Sequence, residues 1–333
     1  MISLPVNDPS HVAETRRSVA SLAASIGFDE SDRARVALIV TELATNLIRH
    51  GSGGVLLAGK SEYGPQPALD ILSLDRGPGM RSVELCLVDG HSTAGSAGTG
   101  MGAIIRQAHV FDILSLPDAG TAIYVRAEAG RLADRKPHEF APFGAVSLAK
   151  SGEQVNGDAW AAAGDVGERT YIVVDGLGHG ESAAEASRAA LAEFRRCSGA
   201  RPAEILANVH GVLRPTRGAA VSVARTEEQR NTLVFAGIGN VRGAVLSGGA
   251  VRTTISRNGT AGHHVRRIQE YEYPFVSESH FVMHSDGLLS SWTVDSYPGL
   301  MSRHPTLIAG VLCRDFRRDR DDATVLVAAR ERP

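Results

Sequence analysis

Between residues 10 and 50 apolar side chains recur every three to four positions, which predicts helices over 10–26 and 31–50. Ser31 or Asp32 would cap the second. On that helix Val36, Ile39, Val40, Leu43 and Leu47 share one stripe and supply a buried face. The pattern then changes to strand-like runs at 54–58, 69–74, 109–116 and 121–127, with Pro117-Asp-Ala-Gly120 joining the last two as a hairpin. Past residue 144 the chain predicts strands at 145–149, 159–163 and 170–174, helices at 181–197 and 202–214, and strands at 218–225, 231–237, 241–247 and 280–285. A helix over 305–313 precedes a closing strand at 324–329. This mixture predicts layered α+β domains.

Leu132 to Gly144 is charged, holds two prolines and follows neither period. It reads as a linker over 132–144 between a domain at 1–131 and another at 145–333. A length of 333 residues suits two domains. Hydrophobic residues at 43% and charged residues at 22% suit packed cores and not a disordered chain. Lys plus Arg is 35 against 37 Asp plus Glu, so no basic excess drives the chain onto nucleic acid or an anionic membrane. The apolar run Val36–Val40 is far short of the ~20 residues of a membrane helix. No signal peptide is visible at the N-terminus, and Cys86, Cys197 and Cys313 form no CxxC pair. The expectation is a cytoplasmic protein with free thiols and neither a nucleic-acid nor a membrane partner.

Candidate chemistry in the first half begins on the second helix. Glu42, Asn46 and His50 follow one another at four-residue steps, so their side chains can point into one space. Asn offers a hard oxygen to Mg²⁺, and Glu can polarise a hydroxyl or water; the same spacing also suits an ordinary solvated helix face. Strand 69–74 runs into Asp75-Arg-Gly-Pro-Gly-Met80. Its carboxylate can accept from an exocyclic amine, and its glycines allow backbone to approach a flat ligand, although such a segment is also a common turn. Ala94-Gly-Ser-Ala-Gly-Thr-Gly-Met-Gly102 precedes a helical pattern and can present N–H groups to phosphate.

In this order, Glu42-x-x-x-Asn46, Asp75-x-Gly77-x-Gly79, Gly98-x-Gly100-x-Gly102 and Gly120-Thr121 resemble the four boxes of the GHKL ATPases. The short stretch between the second and third boxes is similar to that of the small Ser/Thr kinases of anti-sigma-factor and stressosome type. The resemblance spans nearly all of residues 10–130 and implies a Bergerat-type α/β sandwich that binds ATP and Mg²⁺. It puts Asn46 on Mg²⁺, Asp75 on adenine, and Glu42 in place as catalytic base. Gly98, Thr99, Gly100, Met101 and Gly102 would hold the phosphates, with Gly77, Gly79, Met80 and Thr121 beside the nucleotide. It also implies a Ser or Thr substrate on a small STAS-domain partner. The lid is short and carries no obvious phosphate-binding lysine.

The second half carries acidic residues at strand ends: Asp158, Asp175, Asp286, and the pair Asp321-Asp322. Each Asp-Gly alone suits a turn. Brought to one end of a sandwich, such carboxylates would repel unless divalent ions bound there, and oxygen-only ligation favours Mg²⁺ or Mn²⁺. Gly157-Asp158, Asp175-Gly-x-Gly-x-Gly180, Ala236-Gly-Ile-Gly-Asn240, Ser285-Asp286-Gly-Leu and Asp321-Asp-x-Thr324 together resemble the SpoIIE-like branch of the PPM/PP2C phosphatases. The resemblance implies an αββα sandwich holding two Mn²⁺ or Mg²⁺. Asp158 and Asp175 would hold the pair and carry the catalysis, with the Gly176 carbonyl on one ion. Asp286 and Asp321 would complete the other, with Asp322 as a neighbour. His179 is assigned to the surroundings of the site rather than to proton donation.

The two resemblances imply a kinase and its opposing phosphatase on one chain, acting on a STAS-domain switch protein in bacterial partner switching, with a sigma factor as a further partner class. Two other readings stay open. In one the chain is a phosphatase whose N-terminal domain senses ATP. In the other that domain sequesters a sigma factor or STAS protein without catalysis.

Overall fold

The computed structural model describes residues 1–84, 100–130 and 141–330. The chain divides into two compact units, Met1–Ala141 with Val294–Arg314, and Pro142–Thr293 with Asp315–Pro333. Most of the expected linker, residues 132–140, lies outside the described residues. Among the described residues no helix is long and apolar enough to cross a membrane.

In the first unit β1 (Ile2–Val6), β2 (Gly54–Lys60), β3 (Ala68–Leu74), β4 (Val110–Leu116) and β5 (Gly120–Glu128) form an antiparallel sheet of order β1-β2-β3-β5-β4. Helices α1 (Pro9–Ser25), α2 (Glu30–Arg49) and α3 (Gly100–Gln107) belong to this unit. The expected stripe Val36, Ile39, Val40, Leu43 and Leu47 is buried in one core with Leu56, Leu69, Ile71, Ile123 and Val125 of the sheet. The start of α2 differs from expectation: Asp29 is the cap, its Oδ1 accepting from the Asp32 N–H at 2.8 Å. Asp32 is instead buried in an ion pair with Arg35 at 2.8 Å. Strand β1 has no counterpart among the expected elements; its five residues are ordered by pairing with β2, a long-range contact no local pattern announces.

The second unit stacks two five-stranded antiparallel sheets. One has β7 (Asp158–Asp165), β8 (Glu168–Gly176), β9 (Ala219–Glu227), β10 (Thr232–Ile238) and β13 (Tyr271–Pro274). The other has β6 (Phe143–Leu148), β11 (Arg242–Ser247), β12 (Ala250–Thr253), β14 (His280–His284) and β15 (Ala323–Ala329). They meet edge-on through Phe143–Tyr171 and Phe235–Phe281, with ring centroids 5.8 and 6.3 Å apart. Alternation along β8 turns Ile172 and Val174 the other way, into a core with Phe194 of α4 (Glu181–Cys197) and Ile205, Leu206 and Val209 of α5 (Pro202–Val212). The unexpected strands β12 and β13 have four residues each, stand at sheet edges and are largely exposed, so they carry little apolar signal.

Val294–Arg314 belongs to the first compact unit, although it lies within the span 145–333 expected to form the second domain. The register Leu57–Leu72–Tyr124 puts these side chains on the sheet face opposite Leu69 and Ile71, yet all three are fully buried. The cover is the segment that leads into and through α6 (Pro305–Phe316). The His304 ring stacks on Tyr124 with centroids 4.1 Å apart, and the His304 N–H donates to Asp112 Oδ2 at 2.6 Å. A Cβ on Gly310 would stand 3.1 Å from the Leu72 side chain, which sets how closely the helix lies on the strand.

Candidate functional site

In the first unit the end of β3 delivers Asp75 to the end of α2. The Asp75 N–H donates to the Thr121 carbonyl at 3.0 Å, and Asp75 Oδ1 accepts from the N–H groups of Gly77 at 2.8 Å and Thr121 at 3.1 Å. Two backbone donors on Oδ1 orient the carboxylate and leave Oδ2 for another partner. Burial pushes the Asp75 carboxyl above its ordinary value, against the pull of those N–H groups, Arg314 and His50. A Cβ on Gly77 would lie 2.9 Å from the His50 carbonyl oxygen, so the turn rests on the end of the helix that bears Asn46 and His50. Glu42 meets the start of α3, its Oε2 2.8 Å from where a Gly100 Cβ would be.

The packing adds a reason of its own for the glycines. Gly79 has φ +67° and packs so tightly that a Cβ would stand 2.0 Å from the Leu116 carbonyl. At Gly77 and Gly79 the protein's own backbone thus comes close enough to require glycine. Met80 and Met101 pack against the apolar core, and Gly102 is buried. Thr121 joins Ser115 through their hydroxyls at 2.8 Å, and Ser115 Oγ also accepts from the Met80 N–H at 2.8 Å. Gly98 and Thr99 lie outside the described residues. Sequence reasoning missed Arg314, whose Nη1 donates to the Asp75 carbonyl at 2.8 Å; 239 positions of separation hide it from any local motif.

The second unit assembles its carboxylates through strand register. Asp158 and Asp175 are directly opposed on β7 and β8, so both side chains project to one face. Ser285 and Asp286 follow β14, and Asp321 and Asp322 precede its neighbour β15. The Ser285 hydroxyl ties the two sheets: it donates to Asp158 Oδ2 at 2.6 Å and accepts from the Thr324 N–H at 2.9 Å. Asn240 Nδ2 donates to Asp286 Oδ2 at 2.7 Å. Gly176 ends β8, its N–H donating to the Gly157 carbonyl at 3.2 Å.

Burial, then the charges of Asp158, Asp286 and Asp321 in that order, pushes the Asp175 carboxyl up to about 9. Asp158 is raised as well, chiefly by burial, while the Ser285 hydroxyl pulls the other way. Asp175 is thus the hub on which the other three carboxylates act. Asp322 is buried and already committed: its two oxygens accept from the N–H groups of Lys150 at 2.7 Å and Gly157 at 2.8 Å. Asp321 is half-buried and faces the cluster. His179 Nδ1 lies 3.1 Å from Glu153 Oε1, which gives it a partner outside the four. Ser285 and Thr324 were present in the quoted motifs, but their roles needed the register to become visible.

Among the described residues no three His, Cys, Asp or Glu side chains form a ready-made metal-holding group. What converges is a donor set of oxygens in which burial, and then the neighbouring carboxylates, raise Asp175. Its chemistry fits a hard divalent cation, Mg²⁺ or Mn²⁺.

Residues 6–126 match the family described as the histidine kinase-like ATPase domain, and residues 167–331 match that of stage II sporulation protein E (SpoIIE). The first span holds Glu42 through Thr121. The second starts after Asp158 and runs through Val294–Arg314. The serine/threonine-protein kinase RsbT of Bacillus subtilis (strain 168) is 29% identical over 119 residues, covering 34% of this chain and 84% of RsbT. A solved structure described as "The bacterial stressosome: a modular system that has been adapted to control secondary messenger signaling" is 25% identical, with a TM-score of 0.52. That likeness covers 56% of this chain and 98% of the other. The chain carries an N-terminal histidine kinase-like ATPase domain and, after it, a SpoIIE domain.

Proposed function

We propose that the second unit is a phosphatase that hydrolyses phosphoserine or phosphothreonine, and that the first binds ATP and phosphorylates a Ser or Thr hydroxyl. In this reading both act on one STAS-domain partner. The observation that carries it is the convergence of Asp158, Asp286 and Asp321 on Asp175 from separate strand ends. Two bound Mn²⁺ or Mg²⁺ ions would cancel that charge and supply Lewis acidity toward a phosphoryl oxygen. Asp158, Asp175, Asp286 and Asp321 would hold them with the Gly176 carbonyl, while Ser285 and Asn240 fix two of the carboxylates by hydrogen bonds. The chain's own part is to keep these oxygens aimed at one place while water replaces the seryl or threonyl oxygen on phosphorus.

In the first unit, Asp75 Oδ2 would accept from the exocyclic amine of adenine, and Asn46 would hold Mg²⁺. Glu42 takes the proton of the attacking hydroxyl. Glu42→Ala should abolish phosphate addition to the partner and leave its removal near wild type. Asp158→Ala should let phosphorylated partner accumulate while ATP lasts. A time course of partner phosphorylation, with the modified residue mapped by peptide mass, reads both. Removal from a different residue than the one modified would overturn the opposing pair.

A further inference from the structure

We propose that Arg217 binds the substrate's phosphoryl group in the second unit, a role that rests on the phosphatase reading above. Arg217 lies in the turn between α5 and β9. The following residue ties this turn to the carboxylate site, because the Gly218 carbonyl accepts from the Leu177 N–H at 3.0 Å. The first residues of β9 continue the tie: Ala219 pairs with Gly176, and Ala220 with Asp175. The guanidinium therefore projects from a backbone already locked to the loop that leaves Asp175.

Its position on that loop is tight. Arg217 Nη1 stands 3.1 Å from where a Cβ on Gly178 would be, and Gly178 has φ +90°. The Gly178 carbonyl in turn lies 3.6 Å from the Cβ position of Gly157, the neighbour of Asp158. With no side chain at 178, the guanidinium lies against the loop that leaves Asp175, whose Gly178 carbonyl reaches toward the neighbour of Asp158. A side chain at 178 would be strained by the backbone and would crowd the arginine.

Arg188, Arg201, Arg225 and Arg230 of the same unit each pair with a glutamate, whereas Arg214, Arg242 and Arg318, like Arg217, have no such pair among the described residues. Arg217 is exposed and makes no hydrogen bond or ion pair with a described residue, although four carboxylates stand at the neighbouring strand ends. An arginine kept to neutralise those carboxylates would pair with one of them. One left free with its five donors beside the site suits a planar, bidentate contact to phosphate oxygens. His179, on the same loop, stands instead beside Glu153.

The test uses the full chain with Mg²⁺, as wild type, Arg217→Ala and Arg217→Lys. Calorimetric titration with inorganic phosphate reads phosphoryl recognition directly, and steady-state hydrolysis of a phosphoserine peptide reads its use. Arg217→Ala should weaken inorganic phosphate and lower kcat/KM by about ten- to a hundredfold, the range of a lost charge-assisted contact. Arg217→Lys should recover part of both. Mn²⁺ affinity, read by paramagnetic resonance of the free ion, should not move. Unchanged phosphate affinity in Arg217→Ala would overturn the proposal, as would an equal loss of Mn²⁺ affinity, which would make Arg217 a support for the carboxylate loop. If wild type binds phosphate through Arg217 but hydrolyses nothing, the phosphatase reading falls and the phosphoryl site stands.

Discussion

Ser285 is the residue whose loss should be most informative, because it touches Asp158 without being a candidate ligand itself. Hydroxyls that orient ligand carboxylates typically contribute 10–100-fold to metal affinity or activity. Ser285→Ala should therefore lower Mn²⁺ affinity within about that range, read by metal titration, while Ser285→Thr retains part of it. Unchanged affinity would mean that burial alone aims Asp158. The raised carboxyls add a pH signature. Asp175 ionises near 3.8 when unfolded and at about 9 in the metal-free fold, so the fold binds the extra proton in between. Metal-free stability should consequently fall as pH rises from about 4 toward 9. Mg²⁺, which favours the ionised carboxyls, should raise Tm more at pH 8 than at pH 5. A metal-induced shift that is larger at pH 5 would reverse that sign. At this scale the acidic motif residues were legible in the sequence. The resemblance named Asp321 as ligand and Asp322 as its neighbour; what it did not give is that backbone donors from Lys150 and Gly157, far away in the chain, hold Asp322.

Elements with strong periodicity were legible for a simple physical reason: the buried stripe of α2 repeats with the helix itself. Strand β3 also announced more than a half-buried strand. Ala68, Leu69, Ile71, Leu72 and Leu74 are apolar on both faces, a pattern that demands cover on both. The sequence could not say that the second cover would be a segment more than two hundred residues later, since its own pattern reads only as a helix. Gly310→Leu tests that packing. With the Cβ position already 3.1 Å from Leu72, the larger side chain should overpack the contact and destabilise the first unit by about 1–3 kcal/mol. Hydrogen exchange of the β3 and β5 amides should speed up in that variant. Unaltered exchange there would show that α6 is not what holds this face.

Across the whole molecule, the order of motifs predicted two folds and their sequence, and both are present. What motif order could not give is how the chain is shared out. The compact first unit includes Val294–Arg314, although the SpoIIE match runs through the same residues. Arg314 on the Asp75 carbonyl puts a residue from late in the chain beside the candidate adenine contact. The central claim nevertheless concerns the carboxylates around Asp175, and the most direct measurement is the intact mass of a phosphoserine STAS-domain protein after incubation with the full chain. With Mn²⁺ present and no nucleotide, the substrate should lose its phosphoryl group; in excess chelator, or with Asp175→Ala, it should keep it. Retention of the phosphoryl group with Mn²⁺ and wild type, or its removal by the Asp175 variant, would contradict the account.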